Sequence, residues 1–356
     1  MTILPAIDTI GQGNVFYRNQ SEEEKEMNLT ARRKIFAALS LIFWLVALSL
    51  GTASAQVKTR LSVATGGTGG VYYPLGGGLA ALISKHLPGV DATAEVTTAS
   101  VDNMKLLNAD RVALALTQAD IASDAYQGRM KGFNEKIAVR TISALYSNYM
   151  HIVTLNGLGI KSVNDLKGKR VSTGAPGSGT EIKGLRVLEA YGISPRDLKS
   201  QDRLSATESA GALKDRRIDA FIWDGGLPTA AILDLGATPG IRIQLIGHGD
   251  AVAKMTSKYG PVYFVGTIPK GTYGGIETDV QVAALTNLLT VHERMNESLA
   301  YQITKLLHER TADLVAVHQA AKEVTLKSAV VGSPVPFHPG ALRYYKEKGV
   351  KLPAGQ

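Results

Sequence analysis

Downstream of residue 57 the apolar residues fall into two alternating rhythms. Short runs such as "RLSVAT", "VALALTQ", "KRVSTG" and "IDAFIWDG" read as strands. Between them lie stretches with helical patterns, among them "PLGGGLAALISKHL", "SVDNMKLLNA", "ADIASDAYQG" and "SGTEIKGLRVLEAYG". Strands alternating with helices of about ten to fifteen residues predict βαβ units and a largely parallel sheet, hence an α/β fold class. Two β-rich stretches without helix signals, 142–155 and 262–268, interrupt the series and suit strands crossing between two lobes. That predicts lobe I from 56–147 plus 266–356, and lobe II from 148–265. The late "NESLAYQITKLLHERTADLVAVHQAAKEV" reads as helices returning to cover lobe I.

The pattern before residue 56 is of another kind. Arg32, Arg33 and Lys34 precede the uncharged run "IFAALSLIFWLVALSL", and Ala53-Ser54-Ala55 follows it. Basic region, apolar core and A-x-A site in that order predict a signal peptide over residues 1–55, with a mature start at Gln56. The run is shorter than the roughly 20 residues a spanning helix needs. An uncleaved anchor is the alternative. Residues 1–26 include the acidic "SEEEKE" and read as an extension upstream of a true start at Met27. The expectation is an exported, soluble, periplasmic protein.

Composition narrows the chemistry. The chain of 356 residues has no cysteine, which excludes a thiol nucleophile, a redox pair, Cys-ligated zinc and any disulfide framework. Its net charge of +8 is spread along the chain, with no basic run interleaved with aromatics, so no nucleic-acid partner is expected. The charge reads as solvated surface with some preference for anionic ligands.

Two loops carry candidate chemistry. After "RLSVAT" come Gly66-Gly67-Thr68-Gly69-Gly70, and a helix begins near Tyr72-Tyr73-Pro74, where proline's missing N–H is no loss. A helix N-terminus offers free N–H groups and a positive dipole end to an anion. Glycines admit a ligand to the backbone, and Thr68, Tyr72 and Tyr73 add hydroxyls. The bland reading is a tight turn, and for "GGG" at 76–78 packing against the sheet is the better account. A second loop, Gly174-Ala175-Pro176-Gly177-Ser178-Gly179-Thr180, repeats the strand–loop–helix arrangement, with Glu181 in the first turn. Ser178 or Thr180 serving purely as a helix cap is the alternative there. Gln118 ends another strand, as do Trp223-Asp224-Gly225-Gly226. A core role is the commoner fate of such a tryptophan, and a wall of the ligand cleft is the alternative for one at a strand end beside paired glycines.

Other chemistries fail on spacing. A phosphate-binding GxxxxGK[ST] loop would need lysine after Gly179, where Thr180 stands. No G-x-G-x-x-G fits either loop, and the residues around Ser178 do not make a G-x-S-x-G elbow. The seven histidines show no ligand spacing. No catalytic residue, metal site or cofactor is expected, which weighs against an enzyme.

Taken together, "ATGGTGGVYYPLGGGLA", "TASVDNMKLLNA", "ALTQADIASDAYQG", "LKGKRVSTGAPGSGTE", "RRIDAFIWDGGLPTAAI" and "PFHPGALRYYKEKG" resemble the TAXI family of extracytoplasmic solute receptors of TRAP transporters. The resemblance runs in order through the chain after the signal. It implies a two-lobed, type II-like periplasmic-binding-protein fold with a ligand cleft between lobes joined by crossing strands. It also implies delivery of a small anionic or zwitterionic solute, such as glutamate, glutamine or a related carboxylate, to an integral-membrane TRAP permease. The ligand-facing candidates it implies are Thr68, Gly69, Gly70, Tyr72 and Tyr73, then Ser100 and Gln118. From the second half come Gly177, Ser178, Gly179, Thr180 and Glu181, with Trp223, Gly225 and Gly226. The sequence departs from the family at Trp223-Asp224, and its motifs hold no evident equivalent of the carboxylate-clamping arginine of the larger TRAP receptor family. An exported enzyme or a sensory receptor on the same fold is the competing reading.

Overall fold

The computed structural model describes residues 27–41, 58–129 and 135–353. It divides into two units, Met1–Val57 and Lys58–Gln356. In the first unit residues 27–41 form a helix, α1. Residues 1–26, the Ala53–Ala55 signal and the expected start at Gln56 lie outside the described residues. Among the described residues no helix is long and apolar enough to cross a membrane.

The second unit opens with β1 (Thr59–Ala64), α2 (Tyr72–His86), β2 (Val90–Glu95), α3 (Ser100–Asn108), β3 (Leu114–Gln118) and α4 (Ala119–Gln127). The long strand β4 (Val139–Leu155) follows. Next come β5 (Arg170–Ser172), α5 (Gly179–Ala190), β6 (Ser200–Asp202), α6 (Ala206–Lys214), β7 (Ala220–Gly225) and α7 (Ala230–Ala237). After β8 (Ile243–Leu245), α8 (Ala251–Tyr259) and β9 (Tyr263–Ile268), the chain enters β10 (Val280–His292). It ends in α9 (Glu297–Glu309), α10 (Thr311–Val317) and α11 (Pro339–Glu347).

One sheet threads the unit in the order β2-β1-β3-β10-β4-β7-β5-β6, with β8 beside β4 and β9 beside β10. The strands β1, β2 and β3 pair in parallel, as do β5, β6 and β7, which is the pairing that helical crossovers impose. The antiparallel strands β4 and β10 join the two parallel groups. β4 agrees with the crossing strand expected over 142–155. The second crossing differs from expectation. Tyr263–Ile268 forms β9, which pairs with Val280–Leu285 of β10, whereas β10 itself runs on to pair with β3 over Asn287–Val291. Length explains the difference. The six residues of β9 reach about 20 Å, while the 13 of β10 reach about 43 Å, enough to serve both lobes.

Strand alternation gives each lobe two apolar layers. In β3, Leu114 and Leu116 face a core with α2, α9, α10 and α11, while Ala115 faces the core of α3 and α4. In β7, Ala220 and Ile222 face α5 and α8, while Phe221 faces α6 and α7. Gly76 packs against Thr65 of the sheet side, as its "GGG" run implied, and Gly78 would bring a Cβ within 3.2 Å of Leu314 and Val317 on α10.

Candidate functional site

The carboxyl ends of β1, β2 and β3 meet those of β5, β6 and β7 around one cavity of about 530 Å³. Ligands of open α/β sheets bind at this end, because loops there present backbone N–H groups and helix N-termini. Four helices, α2, α3, α5 and α6, begin on the wall. Their caps differ between lobes. α2 starts after Val71 and α3 after Ala99, and neither cap makes a side-chain hydrogen bond to its helix. Ala99 sits at φ 85°, a conformation that costs a non-glycine residue about 1–3 kcal/mol and tends to be kept at functional sites. In the second lobe the caps are filled. Ser178 Oγ accepts from the Glu181 N–H at 3.1 Å and donates to the Ala175 carbonyl at 2.7 Å. Ser205 and Glu208 form a reciprocal capping box.

A buried polar chain lies under the cavity. Tyr72 OH donates to Asn287 Oδ1 at 2.5 Å, and Asn287 Nδ2 donates to Asn148 Oδ1 at 2.6 Å. Asn148 Nδ2 lies 3.4 Å from Asp224 Oδ2, which also accepts from Gln118 Nε2 at 2.8 Å. Asp224 Oδ1 accepts from Lys183 Nζ at 2.8 Å, with both side chains fully buried. Burial raises the Asp224 pKa to about 6, against the pull of the Lys183 ammonium. Removing either partner of such a pair would strand a buried charge. Burial likewise raises the Tyr72 hydroxyl, so it serves as a neutral donor. The lips of the cavity are tied across the lobes by backbone bonds: Asp102 N–H to Gly177 O at 3.2 Å and Ala231 N–H to Gly69 O at 3.4 Å.

Of the residues singled out in the sequence, Thr68, Gly69, Gly70, Tyr72, Ser100 and Gln118 line the cavity from the first lobe. Ser178, Gly179, Thr180, Trp223 and Gly225 line it from the second. Four others are not on the wall. Tyr73 is 37% exposed beside the inward Tyr72, and Gly177 contributes its carbonyl to the lip bond. Glu181 forms an ion pair with Arg203, and Gly226 packs under the Tyr146 ring. Ser178 is the cap of α5, while Thr180 Oγ1 accepts from the Asp224 N–H at 3.3 Å.

Sequence reasoning passed over Arg203, Tyr146, Asn148, Lys183 and Asn287. Arg203 is the basic side chain on the wall, half-exposed and paired with Glu181. Its neighbourhood was signalled by Ser205-x-x-Glu208, a capping box that announces a helix start. Tyr146 and Asn148 in β4 and Asn287 in β10 carried no local signal, since β4 mixes polar and apolar residues along its length and β10 was not recognisable as a strand. Among the described residues no group of His, Cys, Asp or Glu is arranged to hold a metal ion.

Among solved structures, one from Bordetella bronchiseptica RB50 aligns with a TM-score of 0.50 at 16% identity, covering 83% of this chain and 91% of that one. The periplasmic aliphatic sulphonate binding protein SsuA from Escherichia coli aligns at 0.42 and 14% identity, over 81% and 82% of the two chains. An ancestral arginine-binding protein bound to arginine aligns at 0.45 and 16% identity, over 74% and 98%. Two lobes on crossing strands, with a cavity where they meet, make this the periplasmic-binding-protein fold. The sequence model of the NMT1-like family matches residues 63–349, and the chain belongs to that family.

Proposed function

We propose that this chain is the exported solute-binding component of a TAXI-type TRAP transporter. It captures a small carboxylate, of the class of glutamate, glutamine or a related acid, and hands it to the membrane permease. The observation that carries the reading is the cavity: about 530 Å³, four helix N-termini on its wall, and two of those helices without side-chain caps. A carboxylate there would face the first turns of α2 and α3, which no side chain caps, and the dipoles favour its charge. The order of motifs through the chain and the NMT1-like membership support the same reading. Non-enzymatic function fits the wall, whose polar side chains are mostly hydroxyls and amides, with Asp224 committed to Lys183.

In this reading the lobes divide where β4 passes Asn148 and where β10 passes Leu285, and they close about those points by hinge bending. The basic region and apolar run at 32–50 would direct export, with cleavage after Ala55 and a periplasmic location. Native mass spectrometry of freshly purified protein tests the reading. A co-purified carboxylate is expected, released on denaturation, and its readdition should reduce the radius of gyration in small-angle scattering. A bound species without an acidic group, or one that is chemically turned over, would overturn it.

A further inference from the structure

Side chains alternate along β7, so Trp223 leaves the sheet on the same face as Phe221 and packs on the same core beside α6 and α7. Phe221 is fully buried there. Trp223, two residues nearer the strand end, is only partly buried and lines the cavity. Its indole is anchored within its own lobe. The Nε1–H donates to Thr229 Oγ1 at 3.0 Å, and that hydroxyl donates to the Gly226 carbonyl at 3.0 Å. The Thr229 N–H donates in turn to the buried Tyr273 hydroxyl at 3.0 Å. Gly225 makes room for the ring, since a Cβ there would stand 2.5 Å from Nε1. The far end of the ring meets the opposite lobe: Cη2 and Cζ2 lie 3.0 Å from where a Cβ on Gly70 would be. A rigid indole, fixed at one end, thus spans from the second lobe to the glycine loop of the first. The lips are tied separately, by backbone bonds at Gly69 and Gly177 that no side chain at 223 makes. A smaller residue there would therefore enlarge the cavity without drawing the lobes together.

We propose that Trp223 sets the length of the solute, selecting among acids by chain length, and that Thr229 is the positioning residue that holds the indole at that limit. This rests on the carboxylate reading of the cavity. A homologue one methylene too long has to displace a ring that is hydrogen-bonded behind and stopped by backbone in front, and a packed wall yields little to extra volume.

The test is calorimetry with a graded series: aspartate, glutamate, 2-aminoadipate and 2-aminopimelate. In the parent one length should bind best, and the next longer acid should fall at least about ten-fold. Trp223→Phe, shorter and without the N–H, should raise that longer acid by about three- to ten-fold relative to the parent's best. Thr229→Val keeps the shape and the bond to Tyr273 but frees the indole, and should move the ranking the same way by about two- to five-fold. A tryptophan that only fills the core would lower both melting temperatures and leave the ranking alone. The chain's other tryptophan is Trp44, so a Trp44→Phe background leaves Trp223 as the source of indole emission, which should shift at saturation. An unchanged length ranking in both variants, no length preference in the parent, or an unshifted spectrum would overturn the inference and leave the carboxylate reading standing. No binding by any member of the series would overturn both.

Discussion

The loop between β1 and α2 holds Gly66, Gly67, Gly69 and Gly70 outside the left-handed region, whereas Gly174 and Gly177 between β5 and α5 sit at φ 102° and 78°. In the second loop the glycines serve the backbone itself, letting the chain turn where an L side chain would be strained. In the first they serve proximity. A Cβ on Gly69 would run into Thr207 Oγ1, and one on Gly70 would meet the Trp223 ring at 3.0 Å, both groups belonging to the opposite lobe. The capping differs in the same sense: Ser178 satisfies α5 from within, while α2 has no side-chain cap. Two loops of similar composition thus divide the work. One is a locally satisfied turn, and the other is open until something, lobe or ligand, closes on it.

The largest effect should come from Gly70→Leu, whose side chain meets the rigid Trp223 ring. Held open, the lobes lose several ligand contacts together. At about 1.5–3 kcal/mol for each charge-assisted bond, affinity should fall at least about a hundred-fold. Scattering should show no compaction with ligand, and the melting temperature should stay near the parent's. Binding as tight as the parent's would end the proximity account of the first loop.

Next come Thr68→Asp and Ser178→Asp, which place a like charge beside an anionic ligand. Both should weaken binding, with Thr68→Asp losing about ten- to a hundred-fold and Ser178→Asp less, because Asp keeps the cap. If the order is reversed, the ligand's charge sits at α5 and the loops have exchanged roles.

Stability should depend on pH in a way that weights the two halves differently. Burial lowers the pKa of His151 to about 3, and those of His248 and His308 to about 4. With an ordinary value of 6.5, the unfolded chain binds more protons between pH 6.5 and 4. Stability is therefore full above 6.5 and lost as pH falls toward 4. Asp224, raised to about 6 from 3.8, has the opposite sign between those values, and burial raises Asp120 in the same direction, while burial lowers His292, His318 and His338 along with the three histidines above. Urea midpoints should fall from pH 7 to pH 5. Two of the three histidines, His151 and His248, lie in the half that carries the α5 loop. A midpoint that holds or rises would mean these rings find partners when charged.

A smaller loss is expected of Gly174→Ala. Its φ and a Cβ contact of 2.7 Å to Thr180 Cγ2 should cost about 1–3 kcal/mol, lowering the melting temperature by roughly 2–10 °C. Gly67→Ala, with nothing within 4 Å of its Cβ, is the matched control and should be near neutral. The smallest effect belongs to Ser178→Ala, about 1 kcal/mol for the lost cap and little change in affinity. Equal losses at positions 67 and 174 would remove the distinction between the loops.

Much of this architecture was legible in advance because it is local. The strand ends at Gln118 and Gly225, the start of α2 at Tyr72 and the cap at Ser178 each rest on neighbours within a few residues. The crossing strand β10 was not legible. "VQVAALTNLLTVH" is apolar enough for strand or helix, and only its two partners, β9 and β3, distinguish a strand shared by both lobes. The Lys183–Asp224 pair was equally hidden, since 41 residues separate partners that α5 and β7 bring to 2.8 Å.

The sequence by itself determined the alternation of strands and helices, the two Gly/Ser/Thr junctions and the absence of thiol chemistry, because periodicity, turn residues and composition act within a short stretch of chain. Only the tertiary structure decided which glycines face the opposite lobe, which hydroxyls line the cavity, and that Asp224 is buried against Lys183 beneath it. Those properties depend on what stands opposite each residue across a fold, and sequence spacing carries no record of that distance.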